Sequence, residues 1–207
     1  GFAAPAGFAA PPGFSAPAAG AAPAAGAAAA PAAGTTSAAA IGAATSWDPS
    51  PDGAVYTLAT SGSTVYVGGA FSSIGGSVRN SVAAIDAATG QATGWDAQLS
   101  AFPSEVYTLA VSGTTIFLGG GFTQAGGQTR VDLAAVDAIT GAATAFDPSA
   151  NSYVFALVVS GSTVYAAGNF STIGGQPRSY LAELDVATGA ATPWNPSAVS
   201  SFGSILA

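Results

Sequence analysis

The chain has 207 residues, 49% of them hydrophobic and only 6% charged, where a soluble domain averages roughly 25%. Three arginines face ten acidic residues, for a net charge of −7, and there is no Lys, His, Cys or Met. This inventory excludes a basic nucleic-acid footprint, a disulfide or thiolate site and imidazole chemistry, and no run of about 20 large apolar residues offers a membrane span.

Residues 1–43 are almost entirely Ala, Pro and Gly with a few Phe. That run is too weakly apolar and too broken for the core of a signal peptide. A chain starting at Gly1 without Met reads as processed or as a fragment. A hexapeptide, Gly1-Phe2-Ala3-Ala4-Pro5-Ala6, returns at Gly7 and at Gly13. It sets Phe2, Phe8 and Phe14 six residues apart, and Pro5, Pro11 and Pro17 likewise. Proline at this density forbids a continuous α-helix. Polyproline II has three residues per turn, so a six-residue period returns to one face. The composition also suits a flexible linker. The reading carried forward is an extended arm, polyproline II-like, that packs on a neighbouring subunit.

From residue 44 one pattern of about forty residues is written three times, over 55–95, 106–146 and 154–194, without a gap. In the first copy Val55–Ala59 reads as a strand, Ser61-Gly62 as a turn and Thr64–Val67 as a second strand. A Gly75-Gly76 loop leads to a third strand over Ser81–Ile85. The turn Asp86-Ala87-Ala88-Thr89-Gly90 then leads to a fourth strand, Gln91–Trp95. Four short strands at a spacing of 48–51 residues are a β-propeller blade. The expected fold is therefore all-β: three full blades with partial blades at both ends. Ala44–Pro49 reads as the tail of a preceding copy, and Ser204–Ala207 as the opening of a following one.

The residues that repeat have blade-building explanations. The three cations, Arg79, Arg130 and Arg178, each stand seven residues before a turn aspartate, Asp86, Asp137 or Asp185. They are read as loop ties to an Asp or a Trp face, against the alternative of three anion sites. Trp95, Phe146 and Trp194, with Trp47 ahead of them, read as inter-blade packing, the other reading being a carbohydrate platform. One carboxylate and one hydroxyl per Asp-x-x-Thr-Gly turn fall short of the 6–8 oxygens of calcium. Asn169-Phe170-Ser171 is a glycosylation sequon, and Thr35-Thr36-Ser37 could carry O-linked sugar. The only two glutamates, Glu105 and Glu183, form no glycosidase pair. No catalytic role, cofactor or metal is expected.

The string Val65-Tyr66-Val67-Gly68-Gly69-Ala70-Phe71, with Ile74-Gly75-Gly76, Arg79, Val82–Asp86, Thr89-Gly90 and Trp95, resembles the uncharacterised β-propeller repeats of secreted and surface bacterial proteins, with kelch-like and quinoprotein-like blades. The resemblance covers residues 44–207. It implies a propeller fold and an extracellular or cell-surface location, and carries no catalytic residues. Ala84, Asp86, Thr89, Gly90 and Trp95 also resemble quinoprotein dehydrogenase blades. Phe146 departs from that pattern, as does Glu183, and no quinone or calcium ligands correspond.

Open blade edges invite pairing with another chain. The leading expectation is a structural subunit of an extracellular filament or surface fibre, joined head to tail with copies of itself. Phe2, Phe8, Phe14, Pro5, Pro11, Pro17, Trp47, Ile205 and Leu206 are the expected assembly residues. The alternatives are a non-catalytic propeller module for binding or adhesion, with a glycan as one candidate ligand, within a longer surface protein, and a quinoprotein-like enzyme. Neither nucleic acid nor a membrane span is expected.

Overall fold

The computed structural model describes residues 46–100 and 103–196. The chain divides into two compact units between Ala43 and Ala44, and all described residues belong to the second.

Each copy of the pattern folds into the same antiparallel unit. Blade 1 comprises β1 (Ala54–Ser61), β2 (Thr64–Ala70), β3 (Ser73–Ile74), β4 (Ser77–Val78) and β5 (Val82–Asp86). Blade 2 repeats it with β6 (Glu105–Ser112), β7 (Thr115–Gly121), β8 (Gln124–Ala125), β9 (Gln128–Thr129) and β10 (Leu133–Asp137). Blade 3 has β11 (Val154–Ser160), β12 (Thr163–Gly168), β13 (Thr172–Ile173), β14 (Gln176–Pro177) and β15 (Leu181–Asp185). The core sheets run β1-β2-β5, β6-β7-β10 and β11-β12-β15, and β1, β6 and β11 are neighbours in space. The fold is all-β, with three β-propeller-type blades side by side.

Local sequence explains the unit. Gly62, Gly113 and Gly161 open the two-residue turns at φ near 57°, where a Cβ would be strained. Each first strand carries one unpaired residue where the register shifts: Tyr56, Tyr107 and Phe155. Such a bulge bends the strand and re-aims the extra side chain.

The expected fourth strand is present as a single bridge residue in each blade, Ala92, Ala143 or Ala191, paired with the third core strand. Its backbone bonds are divided. Thr93 N–H donates to Ala84 O in β5, while Ala92 N–H donates to Gly75 O at the tip of the small β3-β4 hairpin, 2.9 Å away. The Gly-Gly segment, expected as a loop, is thus the turn of that hairpin, and it ties the outer edge of the fourth segment to it.

The core lies between blades as well as within them. Each sheet has a backward face, toward the preceding blade, and a forward face, toward the next. Forward-face Tyr66, Val82, Ala84 and Trp95 of blade 1 pack on backward-face Val106, Leu109, Ile116 and Leu118 of blade 2. The same positions of blades 2 and 3 form the second junction, through Phe117, Leu133, Ala135 and Phe146 against Val154, Leu157, Val164 and Ala166.

Candidate functional site

The two junctions define what a blade face needs from its neighbour. At both, a glycine on the forward face admits a valine from the next blade. A Cβ on Gly68 would lie 2.6 Å from Val106 Cγ1, and one on Gly119 would lie 2.9 Å from Val154 Cγ1. The aromatic that closes each repeat then crosses over. Trp95 meets Tyr66 edge-on at 5.3 Å, and its indole N–H donates to Asp137 O of blade 2 at 3.0 Å. Phe146 meets Phe117 the same way at 5.3 Å but has no N–H to give. The chain beyond the aromatic completes the link: Gly126 N–H donates to Ala97 O, and Gly174 N–H to Pro148 O, at 2.6 Å each.

Trp47 occupies the corresponding place on blade 1. Its indole N–H donates to Asp86 O at 3.3 Å, and Gly75 N–H donates to Pro49 O at 2.6 Å. The segment from Trp47 to Pro49 therefore sits on blade 1 as Trp95–Ala97 sits on blade 2. Trp47 packs partly buried against Val67, Phe71, Ile74, Ala83 and Ile85.

The repeated charges bond within their own blades, to partners the sequence did not indicate. Arg79 donates from Nε to Trp95 O at 3.1 Å and from Nη2 to Thr93 O at 2.7 Å. Arg130 reaches Phe146 O and Thr144 O, and Arg178 reaches Thr192 O. Each arginine fastens the single-bridge fourth segment to its own blade and does not meet the turn aspartate seven residues on. Arg130 alone adds a carboxylate, Asp147, at 3.3 Å. The turn aspartates are satisfied locally. Asp86 accepts from Thr89 Oγ1 and from the Thr89 and Ala88 N–H groups, and Asp137 and Asp185 repeat this with Thr140 and Thr188. These bonds, led by the threonine, hold all three carboxyls below the usual carboxylate range.

The outer faces of the stack are covered only in part, blade 1 by Trp47. On the backward face of blade 1, Val55 is 40% and Leu58 60% exposed, whereas Val106, Val154, Leu109 and Leu157 in the same positions are buried. On the forward face of blade 3, Trp194 is 41% and Val158 60% exposed, whereas Trp95 and Phe146 are buried. A shallow apolar depression of about 210 Å³ lies there, lined by Ala156, Val158, Tyr165, Ala167 and Leu181.

This forward face departs from the inner ones at several positions. Ala167 stands where Gly68 and Gly119 stand, matched by Ala156 in place of Thr57 and Thr108. Glu183 replaces Ala84 and Ala135. Its carboxylate accepts from Thr192 Oγ1 at 2.9 Å, and its hydrogen bond with Tyr165 holds that phenol above its ordinary pKa.

Sequence reasoning passed over two further features. The bulge residues Tyr56, Tyr107 and Phe155 form an aromatic row with Tyr153, at centroid distances of 5.3–6.3 Å. The Tyr107 hydroxyl donates to Glu105, and burial together with that bond pushes the phenol pKa up. The second feature is Asp132, a buried carboxylate. Comparing the three copies at the residue before the third strand, Ser81, Asp132 and Tyr180, would have exposed it.

Asn169 of the sequon is half-buried, with its Oδ1 sealed from water. Among the described residues no three His, Cys, Asp or Glu side chains cluster as a metal site requires, and no helix is long and apolar enough to cross a membrane. Phe2, Phe8, Phe14, Pro5, Pro11, Pro17, Ile205 and Leu206 lie outside the described residues, as does the Thr35–Ser37 segment.

No protein-family model matches the chain, and no curated protein does. Among solved structures it is similar to the crystal structure of the computationally designed Ika4 protein, at 19% identity and a TM-score of 0.48, over 70% of this chain and 74% of that one. It is also similar to the computationally designed Ika8 protein, at 20% identity and a TM-score of 0.45, over 67% of this chain and 35% of that one.

Proposed function

We propose that the protein is a non-catalytic structural subunit that joins copies of itself head to tail, the backward face of blade 1 in one copy against the forward face of blade 3 in the next. One observation carries this reading. The positions exposed on the backward face of blade 1, Val55 and Leu58, are those that bury themselves at both inner junctions, while the place of the closing aromatic on that face is already held by Trp47. Two faces of one repeat are complementary by construction, and a contact between unlike faces either closes a ring or runs on as a filament. Ala167 and Glu183 shape the contact. The incoming Val55 must stand off from the Ala167 Cβ, and Glu183 enters already bonded to Thr192.

An extracellular filament or surface fibre is the setting this proposal adopts. The resemblance to secreted and surface repeats supports it, as does a surface with only 6% charged residues in the chain. Sedimentation velocity over a range of concentrations tests assembly. The unmodified chain should form multiples of 19.6 kDa, and Leu58→Asp should reduce it to single chains. A single-chain species at every concentration overturns the proposal.

A second reading, a propeller module that binds a ligand, is favoured by the Asp132 cavity and its Tyr153 wall, which appear at one junction and not the other.

A further inference from the structure

Ser81, Asp132 and Tyr180 hold one register and share a left-handed backbone, with φ of 59°, 60° and 66°. At the first junction this position is closed. The fully buried Ser81 Oγ donates to Ser104 O at 2.6 Å and lies 3.0 Å from Ser104 Oγ. Asp132 has no comparable partner. It is only 8% exposed, and among the described residues its carboxylate accepts one hydrogen bond, from Phe122 N–H at 3.2 Å. A carboxylate offers roughly four acceptor sites, and a buried charge normally carries a counter-charge. None comes from this chain's own side chains: Lys and His are absent, and the three arginines are bound to the fourth segments of their blades. Burial pushes the Asp132 pKa up to about 6.

The carboxylate borders a cavity of about 300 Å³, whose lining includes Ser100, Gly121, Phe122, Thr123 and Tyr153. Gly121 makes room for the aromatic wall, since a Cβ there would lie 2.8 Å from Tyr153 Cε1. Blade 1 has Ala70 at this position. Tyr153 also continues the aromatic row, 6.2 Å from Tyr107 and 6.3 Å from Phe155. A buried anion thus stands beside exposed π surface, at one junction of two.

We propose that this cavity binds an organic cation, an alkylammonium or guanidinium group, with Asp132 as its counter-charge and Tyr153 as its aromatic wall. The cation supplies the missing donors as charge-assisted hydrogen bonds and gains from the ring face. The proposal stands apart from the assembly reading, because the cavity lies at an inner junction.

Ligand-observed saturation-transfer NMR on the full chain tests it, since it tolerates assemblies of any size. The probes are n-butylammonium, the guanidinium ion and a blocked Gly-Lys-Gly peptide. Asp132→Asn keeps the side-chain shape, and Asp96→Asn, on an exposed acid, controls for general attraction to an anionic chain. The expected result is saturable binding that Asp96→Asn retains and Asp132→Asn weakens at least about tenfold, roughly the 1.4 kcal/mol of one lost charged contact. Tyr153→Ala should weaken it in the same direction. Binding of the peptide as well as the small amines assigns the source to a protein side chain, and binding of the small amines alone assigns it to a free metabolite. Either outcome upholds the site. No saturable binding of any probe, or equal binding by the Asp132→Asn chain, overturns it.

Discussion

Asp132→Asn should stabilise the protein at neutral pH and lose that gain in acid. In the folded chain burial raises this carboxyl from the usual 3.8 to about 6. The folded state therefore binds more protons than the unfolded state between those values, and the wild type loses stability as pH rises through that window. Above it the ionised group costs on the order of 1–3 kcal/mol after allowance for solvent screening, and below about pH 3.5 the charge costs almost nothing. Asparagine removes the charge, keeps an oxygen for Phe122 N–H, and tolerates the left-handed φ of 60°. Part of the gain is lost to the amide's own unmet donors, so the expected increment at about pH 8 lies in the lower half of that range. That corresponds to a melting temperature higher by several degrees, at roughly 2–4 °C per kcal/mol for a unit of this size. Urea unfolding of both chains at pH 8, 5 and 3 measures it. An increment that is the same at pH 3 as at pH 8, or a loss of stability at pH 8, refutes the electrostatic account of this residue.

The junctions yield three more predictions. Trp95→Phe removes the bond to Asp137 O and should cost about 1 kcal/mol, as the natural Phe146 does without it, whereas Trp95→Ala should cost about 3–5 kcal/mol in urea unfolding. Gly68→Ala should cost about 1–3 kcal/mol by driving a methyl into Val106 and Thr57. Adding Thr57→Ala, which recreates the Ala167 and Ala156 pair of blade 3, should recover part of that loss. Asp137→Asn should lower the melting temperature at pH 7 and leave it unchanged once acid has protonated the carboxyl whose pKa the Thr140 bonds depress.

The blade was legible because its signals are local. Gly62 demands a turn, Val55–Ala59 carries the β-branched and aromatic residues of a strand, and the Asp86–Gly90 turn satisfies its own carboxylate. The fourth strand is shorter than expected: its bonds with β5 are limited to Asp86 N–H to Gln91 O and Thr93 N–H to Ala84 O, and Ala92 N–H, on the opposite edge, goes to Gly75 O, a non-local contact. The arginines stand out in the sequence by their shared register, yet the partners of Arg79 are backbone carbonyls at Thr93 and Trp95, which carry no sequence signature. Asp132 was hidden because averaging three copies draws the eye to what they share, and this residue matters by differing from Ser81 and Tyr180.

Mixing two crippled chains tests head-to-tail assembly most directly. Leu58→Asp spoils the backward face of blade 1 and leaves the forward face of blade 3 intact, and Val158→Asp does the reverse. Each chain alone should sediment as a single copy. Mixed in equal amounts they should pair through their two sound faces and stop, giving a species of twice the 19.6 kDa of one chain. A mixture that stays at single-chain mass contradicts the account, as does either variant assembling on its own.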